Sequence, residues 1–407
     1  MKIGLHRRTS VAATIVAISL STMASPIAFA GEKILSEVTS LENEYYSNWD
    51  RGGKAAAEAL GYEYVTMTNG GDPSKQLSNF EAAISAGTRL FFGVAQSTGN
   101  IRPIVEKVAA AGGYYVGAWD TLPWFHPLDV SKGAYAPWSS PDDSDAAYRL
   151  AVLMFKKIGG KGDVVHITGF AGSNPDTARN DGFDRALKEF PGIKVIVTQT
   201  ANWNQDEARK VMDSIIIAHP KFNAVFGQND SVAIGAMQAC EEAGIQVPIV
   251  GLDGNAETLK FIKEGRLLAT ASFTPEFQAG WTVVKAYDVA HGWRPDPIET
   301  MMFTGTVIVT AANVDTYSKW LRGGLSPFDW KKMSRTLHPD DWDIQYPVTV
   351  ADPLVLWNRT GIKRPEGYEL PKAYLDAVAA GRVDAINKLY AAHYKTKIPQ
   401  DALGVSQ

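Results

Sequence analysis

Asp120 and Asp253, Asn43 and Asn229, Arg179, and the rings of Tyr45, Tyr46 and Trp203 are the residues of this chain best suited to chemistry, and each follows a short apolar run. Carboxylates and carboxamides hydrogen-bond neighbouring hydroxyls, and an arginine donates two bonds in a fixed fork. Aromatic faces cover apolar C–H surfaces. Together they suit a neutral, polyhydroxylated small molecule. Singly, each has a plainer role. Asp120, Asn229 or Asp253 could cap a helix or form a turn. Arg179 could be a solvated helix residue, and the rings could be core. Their shared placement points to a ligand.

The elements that must position these residues alternate regularly from Lys33 to about Thr310. Tyr62–Met67, Leu90–Val94, Tyr114–Ala118, Asp163–Ile167, Val195–Thr198, Ala224–Gly227, Val247–Leu252 and Leu267–Ala271 read as strands. Several are almost continuously apolar, as parallel strands covered on both faces should be. Between them lie amphipathic runs. In 206–218, Ala208, Val211, Met212, Ile215 and Ile216 share one helical face, behind a capping pair Asn204 and Glu207. Asp72-Pro73 reads as another helix start. Gly61, Gly87, Gly112 and Gly244 each follow a helical run, where a left-handed cap belongs. This rhythm predicts an α/β chain of two doubly wound, Rossmann-like lobes with parallel sheets. In such sheets ligands bind beyond the strands' carboxyl ends. The polar and aromatic residues above fall there. Pro137 to Asp142 interrupts the rhythm and reads as the first crossing between lobes.

Composition narrows the function. Lys2, Arg7 and Arg8, the apolar run Val11–Leu20 and Ala28-Phe29-Ala30 form a secretory leader with cleavage after Ala30. The apolar run is short of the roughly 20 residues a membrane span needs. Arg7-Arg8 resembles a twin-arginine start, but Thr9-Ser10 lacks the apolar residues of that route, so ordinary secretion is expected. Removing the leader leaves 377 residues with 37 basic and 44 acidic side chains, a net charge of −7. Such a chain is a poor nucleic-acid binder. Cys240 is the only cysteine, so the thiol is read as buried and inert, without a disulfide. The seven histidines show no metal-ligand spacing. The turn after the first strand, Ser40-Leu41-Glu42-Asn43, has no glycine for a dinucleotide, and no Gly-x-Ser-x-Gly or P-loop occurs. No catalytic residue, cofactor or metal is expected, so the chain reads as no enzyme. A leader occupies the place of a helix-turn-helix, which sets a sugar-responsive repressor aside.

The order Asn43-Glu44-Tyr45-Tyr46, Asp120, Arg179-Asn180-Asp181-Gly182-Phe183, 224–230 (AVFGQND) and 250–254 (VGLDG) resembles periplasmic solute receptors of the ribose-binding-protein type, the binding components of sugar ABC transporters. The likeness spans about residues 33–323. It implies two lobes joined by three hinge crossings, 31–138 with 275–304 and 139–274 with 305–323, followed by an extension at 324–407. It implies that Asn43, Asp120, Arg179, Asn229 and Asp253 hydrogen-bond ligand hydroxyls, while Tyr45, Tyr46 and Trp203 sandwich the ring. It also implies a periplasmic monomer that hands a monosaccharide, deoxysugar or polyol to a membrane permease. A sensor of the same fold reporting to a membrane receptor is the alternative. Two departures stand out. Phe273 occupies the position of the family's usual glutamine, exchanging a polar ligand contact for an apolar one and favouring a less oxygenated ligand. The extension has no counterpart, and Trp330, Trp342 and Trp357 predict that it packs on the body.

These readings predict that Asp253→Ala or Arg179→Ala weakens binding at least tenfold in a protein that stays folded. They also predict that a chain ending at Gly323 folds.

Overall fold

The computed structural model describes residue 1, residues 33–322 and residues 327–403. The leader, beyond Met1, and the junction at Gly323-Gly324 lie outside the described residues.

The apolar runs form two mostly parallel sheets. In the first lobe lie β1 (Lys33–Val38), β2 (Glu63–Thr68), β3 (Leu90–Val94), β4 (Tyr114–Ala118) and β5 (Tyr135–Pro141). In the second lie β6 (Lys161–Thr168), β7 (Gly192–Thr200), β8 (Ala224–Gly227), β9 (Ile249–Asp253) and β10 (Ala269–Ser272). Three late strands complete them: β11 (Met301–Thr304), β12 (Val307–Thr310) and β13 (Val348–Val350). The first sheet runs β13-β11-β5-β4-β3-β1-β2 and the second β12-β10-β9-β8-β6-β7. β12 lies antiparallel to β10 and β13 antiparallel to β11; the other pairs are parallel. The chain passes between the sheets after β5, after β10 and between β11 and β12.

Local signals explain the helices. Asp72 caps helix Pro73–Ser85 through the Ser74 and Lys75 backbone N–H groups. Asn204 accepts from the Glu207 N–H at the start of helix Gln205–Ala218. Gly61 ends helix Glu44–Leu60 at φ 84°, a conformation glycine adopts without strain. Cys240 is buried, and burial pushes its thiol up to about 12, as expected for an inert side chain.

Two expectations need correction. The segment read as an interruption is β5, buried along its length. Pro137 lacks an N–H, and the β4–β5 pairing skips there, from Val116↔Ala136 to Ala118↔Ser139. The crossing to the second lobe follows at once, where Asp142 caps helix Asp143–Lys157.

The larger correction concerns the C-terminal segment. It packs on the body, as its tryptophans predict, but it is also part of the core. β13 pairs with β11 in register Met302↔Val350 and Thr304↔Val348. Trp342, Tyr346 and Trp357 are fully buried within the main hydrophobic core. The Tyr346 ring stacks on Phe277, 4.4 Å between centroids. The Trp330 ring occupies the space where a Cβ on Gly280 would stand, so the first lobe is shaped to receive it. The segment also returns to the second lobe, where Asn313 Nδ2 donates to the Ala402 carbonyl at 3.0 Å and Thr316 Oγ1 to that of Asp401 at 2.7 Å. The first 323 residues are therefore an incomplete core.

Candidate binding site

The loops at the strands' carboxyl ends face each other and enclose a cavity of about 270 Å³. Asn43, Tyr45, Tyr46 and Asp120 line it from the first lobe, and Arg179, Trp203, Asn229 and Asp253 from the second. The lobes touch across its mouth: the Ala256 N–H donates to Glu44 Oε1 at 2.6 Å, and Asn174 Nδ2 to the Thr121 carbonyl at 3.0 Å.

Both amides do two jobs. Asn43 caps helix Glu44–Leu60, its Oδ1 accepting from the Tyr45 N–H at 2.8 Å. Asn229 caps helix Asp230–Glu242, accepting from the Val232 N–H at 2.9 Å. The plain reading and the functional one therefore coexist. The cap consumes one oxygen and fixes the rotamer, while the NH₂ group remains as a donor.

Arg179 is buried. Its Nε donates to Asp143 Oδ1 at 2.7 Å and its Nη1 to the Gln228 carbonyl at 2.6 Å. Its guanidinium carbon lies 5.0 Å from the Trp203 ring centroid and 5.0 Å from that of Phe273. Two donors are thus spent on positioning, and Nη2 has no partner among the described residues. The Asp143 charge offsets that of Arg179, which suits the site to a neutral ligand.

Asp120 and Asp253 are buried, yet their carboxylates show no hydrogen-bonded side-chain partner among the described residues. Burial raises the Asp120 pKa to about 7, partly relieved by the Asn174 backbone N–H. Burial also pushes Asp253 well above the carboxylate range; Arg179 opposes this, and Asp230, Asp143 and Glu44 add to it. Asp253 takes φ 139°, Trp119 φ 62°, Asn202 φ 52° and Trp203 φ 60°. Such conformations cost free energy and collect at functional sites. At Trp203 the reason is visible: its ring fills the space beside Gly169 that a Cβ would need.

Sequence reasoning passed over Trp119 as a ligand residue. Its Nε1 donates to Tyr45 Oη at 2.6 Å, and it meets Tyr45 edge-to-face. Tyr45 also meets Tyr46 edge-to-face, so Tyr45, Tyr46 and Trp119 make one aromatic corner rather than a stacked pair. Phe170, Thr39 and Gln96 also line the cavity. All four lie just beyond strand carboxyl ends, and that position was the signal available. Phe273 differs from its expectation. It is fully buried, does not line the cavity, and packs edge-to-face behind Trp119 at 5.2 Å. An apolar ring next to Trp119 and Arg179 gains more from burial than from facing a wet cleft. It acts on a ligand only through those two residues.

The family model for the periplasmic binding protein domain matches residues 38–293, and the chain belongs to that family. Its relatives place it with the ribose-binding type of that family, whose members are binding proteins rather than enzymes. It is 31% identical over 267 residues to the xylitol-binding protein of Mycolicibacterium smegmatis, covering 64% of this chain and 72% of that protein. It is 28% identical over 269 residues to the ribose import binding protein of Salmonella typhimurium, covering 65% and 87%. The crystal structure of a twin-arginine translocation pathway signal protein from Burkholderia phytofirmans superposes with a TM-score of 0.69 at 27% identity, covering 74% of this chain and 95% of that one. Among the described residues, no helix is long and apolar enough to cross a membrane.

Proposed function

We propose that this protein captures one neutral sugar or sugar-like polyol between its lobes in the periplasm and delivers it to the permease of an ABC transporter. One observation carries the reading: two buried carboxylates without side-chain partners, one from each lobe, share a small cavity with an aromatic corner and an arginine already neutralised by Asp143. Hydroxyl donors would satisfy the carboxylates, and the rings would cover the C–H face. The relatives named for xylitol and ribose support a ligand of this size and chemistry. Lobe closure around the solute is the signal a permease would read. The test is a thermal-shift screen of residues 31–407 against pentoses, hexoses, deoxysugars and polyols. A ligand at 100 times its Kd should add about 2.7 kcal/mol. No shift across all four classes would end this reading.

The carboxylates make binding pH-dependent. A hydroxyl donating to Asp120 or Asp253 favours the ionised form, so binding lowers the pKa and releases protons. Affinity should therefore rise as pH climbs through about 7, where Asp120 titrates in the empty site, and Asp253, likewise raised by burial, adds to the rise. Calorimetry at pH 6 and pH 8, in buffers of different ionisation enthalpy, measures both affinity and proton release. Equal affinity at the two pH values would rule this out.

Asp253→Asn keeps the shape and removes the charge. It should weaken binding about 10- to 100-fold, the worth of a charge-assisted bond. The empty variant should also melt higher than the parent, increasingly so as pH rises above about 4. The parent's carboxyl must then hold a proton that the unfolded chain releases, whereas the amide carries no such penalty. Unchanged affinity would remove Asp253 from the site.

A further inference from the structure

We propose that Arg359, carried on the C-terminal segment, is a positioning residue of the ligand site: across the lobe boundary it pairs with Asp181 and so braces Asp143, the carboxylate that holds Arg179. The inference rests on the reading of the cleft as a sugar site and deepens it.

The segment reaches this place from the first lobe. Helix Pro353–Arg359 follows β13 directly, capped by Asp352, whose Oδ1 accepts from the Leu354 N–H at 2.8 Å. Trp357, on the same helix, is fully buried against Trp124, 5.5 Å between centroids, and against His126. Arg359, the last residue of that helix, leaves this lobe. Its Nε pairs with Asp181 Oδ2 at 3.2 Å. Asp181 lies on helix Asn174–Glu189, which also carries Arg179.

The same Asp181 oxygen accepts from Ser144 Oγ at 2.6 Å, and Ser144 follows Asp143 in the chain. Asp143 Oδ1 accepts from Arg179 Nε. A connected path thus runs from Arg359 through Asp181, Ser144 and Asp143 to Arg179. Arg359, Asp142, Asp143 and Trp119 also line a second, smaller cavity of about 30 Å³ behind the cleft. The side chain of Arg359, 18% exposed, acts on Asp142 and Asp143 with little screening.

The charges around Asp143 come from several elements. Arg179 and Arg359 favour its ionised form and Asp142 opposes it; burial leaves it titrating at about 6. Asp253 in the same lobe, and Asp120 and the Tyr45 hydroxyl in the other, feel its charge in turn. Arg185 donates to Ser144 Oγ at 3.0 Å from the far side. Removing the Arg359 charge moves Asp143 protonation to higher pH. A protonated Asp143 no longer forms an ion pair with Arg179, so the loss of affinity is greatest at low pH.

The test uses residues 31–407 with Arg359→Gln, Arg359→Lys and Asp181→Asn, and D-ribose and xylitol as probes. Calorimetry between pH 5.5 and 8.5 should find the Gln variant about tenfold weaker at pH 6 and about two- to threefold weaker at pH 8.5, with Lys restoring most of the loss. Asp181→Asn cuts the same path at its first link, by removing the partner of Arg359, and should also lose affinity; it decides the matter if the Gln variant does not fold. Carbon-13 titration of Asp143 in the empty protein should show its midpoint moved upward by Arg359→Gln. Affinities within twofold of the parent at every pH would overturn the proposal. A uniform loss with an unmoved Asp143 midpoint would also overturn it, leaving Arg359 a packing role. If the parent binds neither probe, the sugar reading is in question, and the Asp143 midpoint alone decides for or against Arg359.

Discussion

Ending the chain at Gly323 is expected to abolish its cooperative melting transition. The lost segment supplies Trp342, Tyr346 and Trp357, each fully buried. Burying a side chain of this size is worth about 1.5–3 kcal/mol or more, and the partners left behind, Phe277, Trp281 and Trp124, would be uncovered too. Polar groups would be stranded as well. The buried Asp288 carboxylate accepts from Ser334 Oγ and from the Arg335 and Thr336 N–H groups, all of them in the segment. Glu299, also buried, pairs with Arg335 at 2.8 Å. Trp124 Nε1 donates to the Ile362 carbonyl at 3.0 Å. Stranding each such group costs about 1–3 kcal/mol. The combined loss is of the order of the roughly 5–15 kcal/mol that holds a typical protein folded. Differential scanning calorimetry of residues 31–323 beside 31–407 is the check. A sharp transition within about 5 °C of the full chain would show the two-lobe core to be self-sufficient.

Arg179→Ala is expected to abolish ligand binding and to lower stability as well, by about 3–5 kcal/mol. That is the usual cost of removing one partner from a buried ion pair. Asp143 would keep its burial and lose its counter-ion, and the Gln228 carbonyl would lose its donor. The pair joins helix Asn174–Glu189 to the start of helix Asp143–Lys157, so its loss also loosens the loop beside Trp203. The melting temperature should fall by roughly 5–10 °C. The fall should be smaller at pH 5 than at pH 8, because Asp143, titrating at about 6 in the parent, takes up a proton once alone. Sequence reasoning anticipated the binding loss but not the stability loss, because Asp143 is 36 positions from Arg179 and nothing local ties them. A melting temperature within about 1 °C of the parent at both pH values would reduce Arg179 to a ligand contact.

The order of residues specified the local structure. β3, β4 and β8 run over the segments that apolar patterning marked, and Asp72, Asn204 and Gly61 cap the helices they were expected to cap. These features depend on neighbours a few positions away, where hydrophobic period, capping oxygens and glycine's freedom act. The same logic put Asn43, Asp120, Asn229 and Asp253 at or just beyond strand ends and Arg179 after the loop that follows β6, and a doubly wound sheet brings such ends together. Long-range packing settled the rest. β5 is a strand despite two prolines because its neighbours β4 and β11 bury it on both sides. Phe273 turned inward because Trp119 and Arg179 covered it. The C-terminal segment joined the core because β11 offered an open edge and Gly280 left space for Trp330. Those contacts join residues tens to hundreds of positions apart, so they exist only once the chain has folded.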